Sequence, residues 1–271
     1  MLQTLAAHAT GLSLCSQSDV ADHIHTLRKV IRQTQALVRL LAPGLMGDRA
    51  AKQPLQKLAA VARMLSLPRD AEVLPHAWAA LPLPVQQATP TIGMTLVLAR
   101  ATVAADPKTL ADLHKAGVAT AHLIRKFAQN LPTLLPDPVL GEGLRGALHR
   151  VLVIHKQARK RPKQQAVHDL RKACKDIRHQ LEWMGADAAL PGYLDLVDSI
   201  KALGAVTDLF ALDRWLGQAG RACPADERAI LRAALDKLVC KSTGKQIVRC
   251  DDWMVAKPKK MAKNWLQSLD R

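Results

Sequence analysis

The chain has 271 residues, 39 of them Lys or Arg and 23 Asp or Glu, for a formal charge of +16 and a pI near 10.0. Hydrophobic residues make up 49% of it but aromatics only 3%, so Leu, Ala and Val must fill the core, which suits helix-on-helix packing better than a sheet. Five cysteines without a C-x-x-C pair argue against a disulfide framework or a zinc cluster, and no apolar run is long enough to span a bilayer.

Residues 1–19 read as a weakly patterned lead-in that lacks the basic start of a signal peptide. A first helix is predicted over Val20–Leu41, capped by Ser18 or Asp19 and stopped by Pro43-Gly44. Another follows from about Pro54 to Leu67, ahead of Pro68. Residues 75–90 carry Pro75, Pro82, Pro84 and Pro90 and read as a connector or very short helical turns. Thr91–Ala104 and Lys108–Gln129 complete a first bundle of about four helices. Leu131–Gly143, with three prolines and two glycines, is the seam between two halves. Leu144 to about Arg161 reads as a long helix interrupted by Pro162, and Val167–Met184 as the next. Tyr193–Leu203 and Leu209–Ala219 flank a turn at Leu203–Asp208. Pro224–Glu227 opens a further helix with acidic residues where the dipole favours them, and Gly244 is its candidate break point. Pro258 starts a terminal helix.

The segment Val167–Met184 carries two stripes. Val167, Leu170, Cys174, Ile177, Leu181 and Met184 advance by three and four residues and form one apolar face. His168, Arg171, Lys175 and Arg178 advance the same way one residue later, as a cationic row beside the first. Once the apolar stripe is buried, that row repeats about every turn, roughly 5.4 Å, on a rigid support. Such a row is matched to a repeating anion. The 11 basic residues from Arg145 to Arg178 face only Asp169 and Asp176, too few acids to consume them in helical ion pairs.

The same figure occurs in Ile24–Leu41, where His25, Arg28, Arg32 and Arg39 run beside the buried positions. His-x-Leu-Arg-Lys stands in both segments. Leu65–Asp70 follows the first and Leu203–Asp208 the second, so His25 to His168 is an offset of 143 and Asp70 to Asp208 one of 138. Two pairs of landmarks agree on one period, which indicates an internal duplication.

The two H-x-L-R-K helices, the L-G-x-x-x-D figure at Leu203–Asp208 and the closing Ala256–Lys260 segment together resemble a CHAD domain, the conserved histidine α-helical domain. The likeness is spread over about Val20–Leu269. It implies an all-α fold: two pseudo-twofold-related four-helix bundles, residues 20–130 and 140–271, around a basic central channel for inorganic polyphosphate. The residues placed in that channel are His25, Arg28, Arg32, Arg39, His168, Arg171, Lys172, Lys175 and Arg178, with Lys156, Arg159, Lys160, Lys257 and Lys260 completing its wall. In the first copy Arg32-Gln33-Thr34-Gln35 carries fewer cations than the family's usual first helix, so that half is expected to bind more weakly.

The function expected is non-catalytic binding of polyphosphate, with sulfate or phosphate as smaller ions for the same site. No cofactor and no metal are expected, and the setting is cytoplasmic, at polyphosphate granules. Asp70 and Asp208 are assigned a structural part: each caps a turn and pairs with Arg69 or a cation of another helix. Magnesium-assisted hydrolysis needs several convergent carboxylates, which the basic stretches do not supply. A nucleic-acid backbone binder is the main rival, since it would share the charge. The cationic rows lack the interleaved aromatics of single-strand binders, and the five tryptophans are read as packing residues. An accessory module of phosphate metabolism and a scaffold for an acidic protein surface are the remaining alternatives.

Overall fold

The computed structural model describes residues 2–11, 20–132 and 136–269, and every regular element among them is helical. The elements are α1 (Leu2–Gly11), α2 (Val20–Leu41), a π-helical turn (Ala42–Met46), α3 (Gly47–Met64), α4 (Ser66–Ala79), α5 (Leu83–Gln87), α6 (Pro90–Ala105) and α7 (Pro107–Gln129). After the seam come α8 (Asp137–Lys160), α9 (Gln164–Trp183), α10 (Tyr193–Gly217), α11 (Ala225–Val248) and α12 (Pro258–Leu269), with short 3₁₀ turns at Ala219–Ala222 and Arg249–Asp252. Ser18, Asp19 and Cys15 lie outside the described residues.

Several boundaries differ from expectation, mostly at prolines and glycines. The lead-in holds α1, which docks Ala6 and Ala9 into the core formed with α2, α3 and α7. Pro43-Gly44 does not break the chain sharply: a π-helical turn joins α2 to α3, and α3 starts at Gly47 with Pro54 inside it. Pro68 is the third residue of α4, where a missing N–H costs nothing because no intrahelical acceptor exists there. The proline-rich stretch is therefore more ordered than expected, with α4 running through Pro75 and α5 carrying Pro84. Two expected interruptions are absent. Leu203–Asp208 is the continuous middle of α10, and α11 passes through Gly244. Between residues 20 and 130 there are thus six helices, against about four expected.

Three apolar cores hold the helices together. The largest joins the second half of α2, from Leu37 to Leu41, to α8, α9, α10 and α12, and includes the stacked Trp253–Trp265 pair at 6.4 Å between ring centroids. A second lies among α1, α2, α3 and α7, built on Leu27, Ile31, Leu58, Leu113 and Ile124. The third packs Leu74, Ile92 and Leu96 of α4 and α6 against Leu212, Leu231 and Leu235 of α10 and α11. Two of the three cores thus draw side chains from both sides of the seam. At Gly143 the backbone of α8 comes so close to α2 that an added Cβ would overlap the Leu40 carbonyl oxygen, so no other residue fits there without moving a helix. Cys174, Cys223 and Cys250 are buried as small core residues and Cys240 is exposed.

Candidate functional site

Helices α2 and α9 bury their apolar stripes, Leu27, Ile31 and Val38 on one and Val167, Leu170, Cys174, Ile177 and Leu181 on the other. Polar contacts then lock one helix to the other. Arg39 pairs with Asp176 at 2.9 Å, the Gln180 amide donates to the Ala36 carbonyl at 3.1 Å, and the Trp183 indole donates to the Gln33 carbonyl at 3.3 Å. These contacts run in opposite chain directions along the two helices. With both stripes buried, the cationic rows beside them are turned toward a common space.

That space is a cleft of about 450 Å³. Its walls are His25, Arg28, Lys29 and Arg32 from α2, and His168, Arg171, Lys172, Lys175, Arg178 and His179 from α9. Arg69, Glu72 and Val73 of α4 and Asp208 of α10 close it. Among the described residues, eight Lys and Arg side chains therefore meet two carboxylates, and no Trp, Tyr or Phe lines the cleft. A smaller recess of about 140 Å³ shares Arg69, His168 and Arg171 with it and continues past Gln164, Gln165, Thr207, Phe210 and Arg214.

Two arginines are braced by the neighbouring helix. Arg28 donates through Nη1 to the carbonyls of Ala62 (2.8 Å) and Leu65 (3.2 Å), where α3 gives way to α4; the Leu65 carbonyl also accepts the backbone N–H of Arg69 at 3.4 Å. Arg171, three residues after the other histidine, donates through Nη1 to Thr207 Oγ1 at 3.0 Å, and its Nε is buried without a partner among the described residues. Both arginines line the cleft. Arg178 is held by Glu182 at 2.7 Å, and Glu182 also takes hydrogen bonds from His179 (2.8 Å) and the Tyr193 hydroxyl (3.2 Å).

The crowding of like charges shows in the acid–base behaviour. Burial, with Arg32 and Arg69 nearby, lowers Arg28 to about 10. Burial is also the main reason that Arg32 and Arg171 fall below the usual arginine value. Lys175 is pushed down to about 7 by burial and then by Arg171, Arg32, Arg178 and Arg69. His168 falls to about 4, through burial and the neighbouring Lys172. Burial opposes charge on Glu182, but hydrogen bonds from His179 and Arg178 overcome it and hold the carboxyl near about 2. Asp208 moves upward because burial outweighs the pull of Arg171 and Arg69. Burial thus disfavours charge on these groups, and neighbouring cations add to it.

The expected residues thus divide. His25, Arg28, Arg32, His168, Arg171, Lys172, Lys175 and Arg178 line one cleft. Arg39 stands beside it, engaged with Asp176. Lys156, Arg159, Lys160, Lys257 and Lys260 are exposed and do not line it; Arg159 pairs instead with Asp251 at 3.2 Å. Asp70 and Asp208 cap no turn, since both sit inside helices, but both face Arg69, at 2.8 and 3.8 Å. Lys29, Arg69 and Glu72 were not expected in the site. Lys29 was discoverable, because the offset of 143 maps it onto Lys172 (29 + 143 = 172). Arg69 and Glu72 carry no such mark, for α4 has no cationic row.

Among the described residues, no group of three or more His, Cys, Asp or Glu is placed to hold a metal ion, and no helix is long and apolar enough to cross a membrane. A search of curated proteins finds no match. The family model of the CHAD domain matches residues 1–216, which takes in α1 and all four helices that line the cleft and leaves α11, α12 and the Ala256–Lys260 segment outside. An all-helical chain whose two histidine-led basic helices meet at one cleft, and whose first 216 of 271 residues fit that model, belongs to the CHAD domain family.

Proposed function

We propose that this chain binds inorganic polyphosphate without transforming it, and that the cleft between α2 and α9 is where it does so. The observation that carries the reading is the convergence of eight Lys and Arg side chains from three helices on one concavity with, among the described residues, only the carboxylates of Glu72 and Asp208 beside them. Arginine forks take phosphoryl oxygens two at a time, and the lysines act as point charges. Lys175 and His168, lowered first by burial and then by neighbouring cations, are groups whose charge a polyanion would restore.

The paired contacts of α2 and α9 support the pseudo-twofold form of this reading. Under the offset of 143, the Arg39–Asp176 contact maps onto residues 33 (176 − 143) and 182 (39 + 143), and Trp183 indeed reaches Gln33. Gln180 with Ala36 maps onto residues 37 and 179, again within one position of itself. A twofold axis between the helices produces this kind of self-mapping. On this reading the cleft is part of a channel shared by the two repeats, and the protein gathers at polyphosphate granules in the cytoplasm. The basic side chains outside the cleft, such as Lys257 and Lys260, meet longer polymers.

The test is calorimetric titration with polyphosphates of defined length against duplex DNA as competitor, with salt varied. Both ligands release counterions and both bindings weaken with salt, so competition decides. Polyphosphate is expected to bind in the presence of DNA at equal phosphate concentration. Displacement by DNA would overturn the reading, and magnesium-dependent release of phosphate would show an enzyme instead. The absence of aromatics from the cleft weighs against stacked bases as the ligand.

A further inference from the structure

Lys175 stands where guanidinium groups from three helices meet: Arg171 and Arg178 on its own helix, Arg32 on α2 and Arg69 on α4. The carboxylates around it are engaged elsewhere. Asp176 holds Arg39, Glu182 holds Arg178 and His179, and Asp208 lies toward Arg69. Among the described residues none of them comes within ion-pair distance of the Lys175 amine. An ordinary exposed lysine is protonated at neutral pH and is no nucleophile. Here burial, and then the neighbouring guanidiniums, bring the group to about 7 in the empty cleft; a bound phosphoryl dianion draws it part of the way back up, so the free amine is the minor form beside the ligand and its share grows as pH rises.

The surroundings also select the electrophile. Guanidiniums on several sides hold a phosphoryl dianion, and an acyl group attached to that phosphoryl is then delivered beside the amine. The same guanidiniums stabilise the charge that develops on the departing phosphate. We propose that Lys175 is a self-acylation site for small acyl phosphates bound in this cleft.

In the step, the amine lone pair attacks the acyl carbonyl carbon and forms the amide C–N bond. The C–O bond to the phosphoryl group breaks, and its electron pair leaves with the phosphate. The surplus amine proton passes to that phosphate, so atoms and charge balance with no oxidant or further reactant. The product replaces a cation in the wall of the cleft with a neutral amide, and polyanions bind it less well. The inference rests on the cleft being an anion site, but not on polyphosphate being its natural occupant.

The test uses the whole unmodified protein with acetyl phosphate near neutral pH, with site occupancy followed by peptide mass spectrometry. Lys175 is expected to be acetylated about tenfold faster than Lys172, Lys257 or Lys260, as befits a desolvated amine among cations. Its rate should saturate with acetyl phosphate, whereas a neutral activated acetyl ester should give a rate that rises linearly. Pyrophosphate should suppress labelling of Lys175 and spare Lys257 and Lys260. Equal rates at these lysines, or a Lys175 rate indifferent to pyrophosphate, would overturn the inference. Parallel titration with polyphosphate separates the two readings: binding without labelling removes only self-acylation, and labelling without binding removes only the proposed ligand.

Discussion

Gly204 in the middle of α10 makes room for Arg171: a Cβ built on it would lie 3.0 Å from Arg171 Nη2 and 3.4 Å from Cζ and Nε. Glycine inside a helix costs about 1 kcal/mol relative to alanine, yet α10 runs unbroken through this one. What the position gains is a guanidinium laid flat against the helix and anchored on Thr207.

Gly204→Ala is therefore expected to separate stability from binding. Alanine suits the helix, so the melting temperature should hold or rise. The added methyl sits tighter than ordinary packing against Arg171 and displaces its tip from the cleft. Polyphosphate affinity should fall several-fold, about 1 kcal/mol, in line with a strained but surviving charged hydrogen bond. Calorimetry on both proteins checks it, and an unchanged affinity would show that Arg171 serves α10 and not the ligand.

The depressed groups give pH effects of definite sign. The unfolded chain keeps the Lys175 proton to about its ordinary 10.5, but the native free protein only to about 7. Between those values the unfolded state binds more protons, so stability of the free protein rises with pH across that window. The same holds for His168 between about 4 and its ordinary 6.5, so acidification from 6.5 should destabilise the free protein. A bound polyanion raises both groups, and binding takes up protons. Affinity should decline as pH rises through 7, and the melting temperature gained on adding polyphosphate should grow as pH falls. Proton uptake, measured by calorimetry in buffers of different ionisation enthalpy, should shrink in Lys175→Arg near neutral pH to the share that His168 supplies.

The two groups of basic residues found by sequence should part in experiment. Arg32 is partly buried among cations from α2, α4 and α9, so Arg32→Ala should cost about 1–3 kcal/mol of polyphosphate binding, the range for a charged hydrogen bond. Lys260 is exposed on α12. Lys260→Ala should change affinity for short polyphosphate by less than about twofold, as exposed charges are screened. Titration with short and long polymers checks both, and equal losses with a short polymer would place the site elsewhere.

The parts of the site legible in the sequence are those carried by one helix at a time. The row His168, Arg171, Lys175 and Arg178 beside an apolar stripe states its own geometry, because a helix that buries one face fixes the direction of the next. Its recurrence at His25, Arg28 and Arg32 said that two such helices belong together. What could not be read was the third wall. Arg69 enters from α4, whose Pro68 and Pro75 look like breakers, yet Pro68 falls in the first turn and the helix runs on through Pro75. Lys156, Arg159, Lys257 and Lys260 stand outside the cleft. Their charge was visible, but which side of the molecule α8 and α12 turn outward depends on packing across the large core.

The same limit explains Glu227, which charge alone would place on the surface in the first turn of α11. It is only 7% exposed, and its carboxylate accepts from the backbone N–H groups of Thr91 at 3.2 Å and Ile92 at 3.0 Å. Those are free donors at the start of α6, where Thr89 offers no side-chain cap and Pro90 has no N–H to give. A side chain from the far half of the chain thus caps a helix of the near half, beside the core that Ile92 and Leu96 share with Leu231 and Leu235. Glu227→Ala strands the buried N–H of Ile92, while that of the exposed Thr91 can turn to water, so the loss should be about 2–4 kcal/mol, below the sum of two fully buried bonds to a charged acceptor at about 1.5–3 kcal/mol each. Glu227→Gln keeps an acceptor oxygen and should cost less than half of that. Because Glu227 is remote from the cleft lining, polyphosphate affinity of the folded variants should match the parent. Urea unfolding paired with calorimetric titration measures both quantities. A loss of affinity as large as the loss of stability would mean that α6 and α11 set the geometry of the cleft through α4 and α10.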